Sequence, residues 1–243
     1  MIDRSYIKNA IYFDIETVGL YPTLEDVKKN DPHLAELWEK KCKWLVKNLE
    51  PDESTDPSEL WVKKASLYPE FGKIVCISFG VWEDESCSIE KIVSFYNDDE
   101  KNILENCNKI LANSRKKQYR LAGHNIKNFD IPFLGKRMLI NSINPDLMIQ
   151  VWNKKPWEVS FFDLAEIFSF GAWVQSFTPL ELISHVLGVE NSKDTLDGSK
   201  IHSYFWDLKN YEEIKNYCEK DVMCIMNCFK KISYYFVDFF VVK

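Results

Sequence analysis

The chain has 243 residues, 46% hydrophobic and 14% aromatic, enough for a large core in one domain and marginal for two. A formal net charge of -6 and a pI near 5.4 argue against a broad, non-specific electrostatic grip on nucleic acid. The first nine residues are polar and no apolar run approaches the roughly 20 residues of a membrane span, so no membrane partner and a cytoplasmic location are expected. The cysteines form no C-x-x-C pair, which reads as reduced thiols rather than a zinc or disulfide framework.

Taken in order, residues 10–17 (Ala-Ile-Tyr-Phe-Asp-Ile-Glu-Thr) open as an unbroken apolar run, as in a strand covered on both faces in mid-sheet. Asp14 and Glu16 are two apart, so they project from one face of an extended chain and can reach a single cation cluster. A charged insertion follows at approximately 20–70, carrying Pro22, Pro32, Pro51 and Pro57. Within it Leu34, Leu37, Trp38, Lys41, Trp44, Leu45 and Leu49 recur at spacings of three and four, an amphipathic helix. Residues 50–57 read as a mobile loop. Because the insertion begins just after the two acids, it is placed to overhang them as a lid, with its tryptophans as core contacts.

Residues 73–82 and 89–95 form a hairpin around a polar turn, and a helix over 98–113 shows Ile103, Leu104, Cys107, Ile110 and Leu111 on one face. A short strand over 119–124 leads to a tight connection and a helix starting at Asp130, with Pro132 tolerated in the first turn. Taken alone, Asp130 reads first as a helix cap, and Phe129 as a packing anchor. Residues 160–163 form a last strand, with Asp163 and Glu166 at capping-box spacing. A helix over 179–187 ends at Gly188, and Asp197-Gly198 is a turn, preceded by Lys193-Asp194. The final helix opens at Asn210 and buries Tyr211, Ile214, Cys218, Val222, Ile225, Phe229 and Ile232. Tyr217 and Asp221, one helical turn apart, share an edge of that stripe and can face Asp14 and Glu16. Basic stretches that could meet phosphates are Arg115-Lys116-Lys117 with Arg120, and Lys127 with Lys136 and Arg137.

Three stretches now stand in order: Asp14-Ile15-Glu16, Asn125-x-x-x-Phe129-Asp130 and Tyr217-x-x-x-Asp221. Together they resemble the ribonuclease H-like 3′ to 5′ exonucleases with four acidic residues, in the branch that carries a tyrosine before the last acid. The flanks Gly-His-Asn-Ile-Lys-Asn-Phe-Asp and Asn-Tyr-Cys-Glu-Lys-Asp-Val resemble the proofreading exonuclease domain of family-B DNA polymerases, and above all the stand-alone predicted exonucleases related to it. His202-x-x-x-x-Asp207 matches the spacing of the histidine branch but lacks the family flanks, and is set aside.

The resemblance implies an α/β fold: a ribonuclease H-like mixed five-stranded sheet flanked by helices, with a helical insertion after the first strand, in one domain over residues 1–243. It implies hydrolysis of phosphodiesters from a 3′ end, releasing nucleoside 5′-monophosphates, with two divalent cations, Mg²⁺ or Mn²⁺, as cofactors. Asp14, Glu16, Asp130 and Asp221 are the implied metal ligands, Tyr217 the residue that aims the attacking water, and Thr17, Asn125 and Phe129 the implied substrate contacts. The expected partner is nucleic acid, DNA ahead of RNA and single-stranded. No residues remain for a polymerase body, so any replication or repair partner acts in trans. A catalytically silent binding module on the same fold, or an endonuclease with no need of a 3′ end, are the alternatives. The aromatic run 234–240 either packs on the body or meets a partner.

Overall fold

A computed structural model describes residues 5–48, 50, 54–84, 86–88, 90–155, 158, 159, 161–170, 177–190 and 198–234. The elements are α1 (Ser5–Lys8), β1 (Ala10–Gly19), α2 (Leu24–Asn30), α3 (Pro32–Leu45), α4 (Pro57–Lys64), β2 (Gly72–Trp82), β3 (Glu90–Tyr96), α5 (Glu100–Lys116) and β4 (Arg120–Gly123). They continue with α6 (Asp130–Ile140), β5 (Phe162–Asp163), α7 (Leu164–Phe168), α8 (Leu180–Leu187), α9 (Ile201–Trp206) and α10 (Tyr211–Ser233).

The five strands form one mixed sheet in the order β3-β2-β1-β4-β5, with β1 central as its apolar run requires. Strand β1 pairs antiparallel with β2 and parallel with β4, and β4 pairs parallel with β5. This is the ribonuclease H-like arrangement expected from the motifs. Alternation along β1 divides the core between two layers. Ile11, Phe13 and Ile15 pack with Ile103, Leu104 and Leu111 of α5 and with Leu134 and Met138 of α6. Ala10 and Tyr12 face the other way, onto Val222, Ile225, Met226 and Phe229 of α10. Asp14 and Glu16 continue this second parity, which aims them at α10. The β1–β2 register shifts between Glu16 and Thr17, where Val75 is the extra residue on β2. Such a bulge re-aims the residues beyond it.

The insertion is a small helical layer with its own aromatic core. Trp38, Trp61 and Phe71 meet edge to face, with ring centroids 5.1–6.3 Å apart. Both indole N–H groups donate to carbonyls, Trp38 to Pro57 at 2.9 Å and Trp61 to Tyr21 at 2.9 Å. Pro32 and Pro57 open helices rather than bound a loop, because each follows a capping aspartate and needs no amide hydrogen at the first position. The expected stripe of α3 is corrected. Ala35, Trp38, Cys42 and Leu45 are the buried set, while Leu37 is 41% and Trp44 56% exposed. The 3.6-residue period was legible, but which flank of the stripe met the body was not.

Helix α5 starts at Asp99, which caps it, and runs to Lys116, past the expected end at 113. Its Glu100 is buried with Arg137, accepting at 2.8 and 2.6 Å, and also accepts from the Ile74 amide. Arg137 is therefore a core residue. Most of the other basic candidates are also engaged: Arg115 with Asp146, Lys127 with Glu166, Lys136 with Glu70, the Arg120 guanidinium over the Phe162 ring and the Lys117 ammonium over the Tyr119 ring. Gly188 adopts the left-handed C-cap expected of it (φ 65°). The turn around 193–197, the loop centre at 51–53 and the tail 235–243 lie outside the described residues. Among the described residues no helix is long and apolar enough to cross a membrane.

Candidate active site

Asp14 and Glu16 emerge from the buried centre of β1 at the point where β4 has ended, since the β1–β4 ladder closes at Tyr12 with Ala122. The freed edge of β1 is occupied by Asp130, whose carboxylate is steadied by the Ile15 amide and by its own. Asp130 is the first residue of α6, not the cap, which is Phe129. The side chain thus reaches the strand as well as its own amide.

The connection that carries Asp130 is held by Asp163. Its carboxylate accepts from the Asn125 amide at 2.8 Å and the Lys127 amide at 3.0 Å, while capping α7 through Ala165 at 3.1 Å. Asn125 sits at φ 60°, a left-handed conformation that asparagine tolerates better than most residues. Gly123 precedes this turn because a Cβ there would lie 2.2 Å from Ile126 Cγ2 and 2.9 Å from the Phe13 carbonyl. A backbone oxygen at that distance leaves no room for a side chain. Asp163 is therefore the capping residue the sequence suggested, and it also fixes the geometry of the second motif.

Helix α10 supplies the remaining groups. Asn210 caps it by accepting from Glu213, as the spacing predicts, and the helix then crosses the face of β1 and β2. Tyr217 is 8% exposed and hydrogen-bonds Asp221. The Cys218 thiol donates toward Asp14, 3.5 Å to the backbone oxygen and 3.7 Å to Oδ2. One potential ligand atom from each of Asp14, Glu16 and Cys218 lies within 4.8 Å of the others.

The electrostatics record the convergence. The Asp14 carboxyl is pushed well above its usual range by burial, then by Asp130 and Asp221, with the Cys218 thiol partly offsetting this. Glu16 is raised by burial and then by Asp14, Asp221 and Asp130. Asp130 is pushed up to about 7, chiefly by burial. The Tyr217 phenol is pushed far up by burial and by Asp221, Glu16 and Asp14, so it remains a protonated donor. Asp14 and Glu16 stand with Cys218 as the close group, and Asp130 and Asp221 add charge to it without joining it within 4.8 Å; the carboxylate oxygens suit a hard divalent cation.

The implied substrate contacts are placed less simply. The Thr17 hydroxyl donates to the Ser66 carbonyl at 2.8 Å, tying β1 to the end of the insertion. The Asn125 side chain accepts from Asn128 at 3.0 Å. Phe129 packs on Phe133 at 5.5 Å and is only partly buried. His202 is turned elsewhere, its ring 2.9 Å from the Pro22 carbonyl. Cys218 is the neighbour sequence reasoning missed, assigned only to a buried stripe. Its position directly after Tyr217 was the available signal.

No curated protein shows significant similarity to the chain. Among solved structures, the family B DNA polymerase from the hyperthermophilic archaeon Pyrobaculum calidifontis superposes with a TM-score of 0.55 at 14% identity, over 92% of this chain. The match spans only 24% of that polymerase, and at this identity it speaks to the fold alone. A family described as a predicted 3′-5′ exonuclease related to the exonuclease domain of PolB matches residues 66–236, a span that includes Asp130, Tyr217 and Asp221. With most of its length so matched, on a sheet that brings the acidic motifs together, the chain belongs to the family of predicted 3′-5′ exonucleases related to the exonuclease domain of PolB.

Proposed function

We propose that the protein removes nucleoside 5′-monophosphates stepwise from the 3′ end of single-stranded nucleic acid, DNA ahead of RNA, with two divalent cations, Mg²⁺ or Mn²⁺. The observation that carries this reading is the placing of Asp14 and Glu16 side by side on β1, against Cys218 of α10 and the Tyr217–Asp221 hydrogen bond, with Asp130 held at the Ile15 amide. Clustered acids of this kind are costly to keep without a cation and are suited to holding one. When bound, a metal pair supplies an activated water and charge neutralisation at the leaving oxygen.

The chain's own residues divide the remaining work. Asp14, on the central strand with Glu16 beside it, would be the acid shared by the cations. Glu16 and Asp221 would complete the side that activates the water, and Asp130, at the start of α6, the other side. Tyr217 keeps its proton and aims the water by hydrogen bonding rather than by abstracting a proton. An unpaired 3′ end reaches a recessed cluster more readily than a paired one, which favours a single strand. Partners in trans, such as a replication or repair polymerase, belong to the same reading.

The test is a time course on 5′-labelled single strands, DNA and RNA in parallel, with Mg²⁺, Mn²⁺ or chelator, for wild type and Asp14→Ala. A metal-dependent ladder shortening from the 3′ end and absent in the variant is expected. Strands left intact by wild type under every condition would refute the exonuclease and favour a binding module.

A further inference from the structure

Between the helical insertion and α6 lies an open groove of ≈ 700 Å³. Phe129, Pro132, Phe133 and Lys136 form one of its walls. Their spacing of three and four makes them a single stripe along α6, running from the residue before Asp130 for about 10 Å down the helix. The opposite wall comes from the insertion and includes Lys40, Lys41, Leu67 and Tyr68. Leu67 follows Ser66, the residue whose carbonyl holds Thr17. The groove is therefore flanked at its head by two elements of the candidate site.

Its chemistry differs from that of the chain as a whole. The protein carries a net charge of -6, yet the groove gathers Lys40, Lys41 and Lys136 against one acid, Glu70, which is paired with Lys136 at 2.9 Å. The Lys41 ammonium sits 4.2 Å over the Tyr68 ring and 4.5 Å over the Trp44 ring, held at the lip mainly by the two rings, with Glu70 attracting it more weakly than it does Lys136. Aromatic walls with lysines between them suit unpaired bases and their phosphates, because every base offers a face to stack and every phosphate a charge. A folded protein partner would be met by flat, acid-balanced surface rather than a cationic trough leading to carboxylates.

We infer that this groove carries the single strand on the 5′ side of the reacting nucleotide, with Lys40 and Lys41 on its phosphates and Tyr68 and Phe129 beside its bases. The inference rests on the exonuclease reading for the direction of the strand. It also gives the insertion a task, since residues 20–65 lie outside the part matched by the family.

The experiment is fluorescence anisotropy of labelled oligothymidylate and oligouridylate across a salt series with Mg²⁺. It compares Asp14→Asn, which prevents cleavage, with Asp14→Asn carrying Lys40→Ala and Lys41→Ala. The lysine variant should bind more weakly, and its log affinity against log salt should be shallower by about 1.4, corresponding to two single-strand phosphate contacts. In the Asp14-intact protein the same lysine changes should raise KM on the oligonucleotide and leave hydrolysis of a dinucleotide, too short to enter the groove, unchanged. Equal affinity and equal salt slope on both oligonucleotides would overturn the groove, whether or not wild type shortens strands. Lysine-dependent binding by a wild type that shortens nothing would instead overturn the exonuclease reading and support the groove as a strand-binding surface. The tighter of the two oligonucleotides identifies the sugar.

Discussion

Replacing Asp14 with Asn separates the structural cost of the acidic cluster from its use. Ligand atoms of Asp14 and Glu16 lie within 4.8 Å of each other. Two full charges at that separation repel by about 3 kcal/mol at an effective dielectric of ~20. Both acids are pushed well above their ordinary range, so the metal-free protein already relieves part of this repulsion by holding protons. The net repulsion is thus smaller than that of two full charges. Asparagine keeps an oxygen to accept from Cys218, so the packing of α10 on β1 is preserved. In chelator at pH 8, Asp14→Asn should gain about 1–2 kcal/mol, raising Tm by roughly 2–8 °C for a chain of this size. Saturating Mg²⁺ or Mn²⁺ should stabilise wild type by about 3 kcal/mol at one hundred times Kd and the variant by far less. Scanning fluorimetry with and without metal reads both effects, and the order of the two melting temperatures should invert. A variant that melts below wild type in chelator, and still responds fully to metal, would refute a repulsive cluster built for cations.

Three further outcomes follow from the same geometry. The acids with raised folded pKa bind more protons folded than unfolded, so in chelator their stabilising contribution is complete below about pH 4 and is lost as pH rises through the folded value, about 7 for Asp130. Tm measured across that window should fall with rising pH without metal and flatten with saturating Mn²⁺; a rise in chelator would contradict the assignment. Tyr217→Phe should keep the fold and metal binding while lowering kcat on the order of 100-fold, with little change in KM, in a single-turnover assay. An unchanged kcat would remove Tyr217 from the reaction. Arg137→Ala should cost about 3–5 kcal/mol in a urea unfolding curve by stranding the buried Glu100 carboxylate, and a loss below 1 kcal/mol would show that water replaces the guanidinium.

Local order explains what the sequence determined unaided. The apolar run before Asp14 could only be a doubly covered strand, and its two-residue period sends Tyr12, Asp14 and Glu16 to one face. The caps at Asn210 and Gly188 were legible because capping is settled within one turn of chain, and the start of α6 at Asp130 because a proline follows in its first turn. So was the shared edge of Tyr217 and Asp221. Only the tertiary structure decided the rest, because those contacts join groups far apart in sequence whose types carry no mark of their partner. Cys218 meets Asp14 across 204 positions, and Thr17 meets Ser66 across 49. Arg137, one of several surface-like cations in the sequence, is in the core because Glu100 happens to face it, whereas Lys40 and Lys41 remain at a groove. In the same way α3 buries Trp38 and exposes Trp44: helical period defines a stripe, but the layer it lands on selects which neighbours of that stripe are covered.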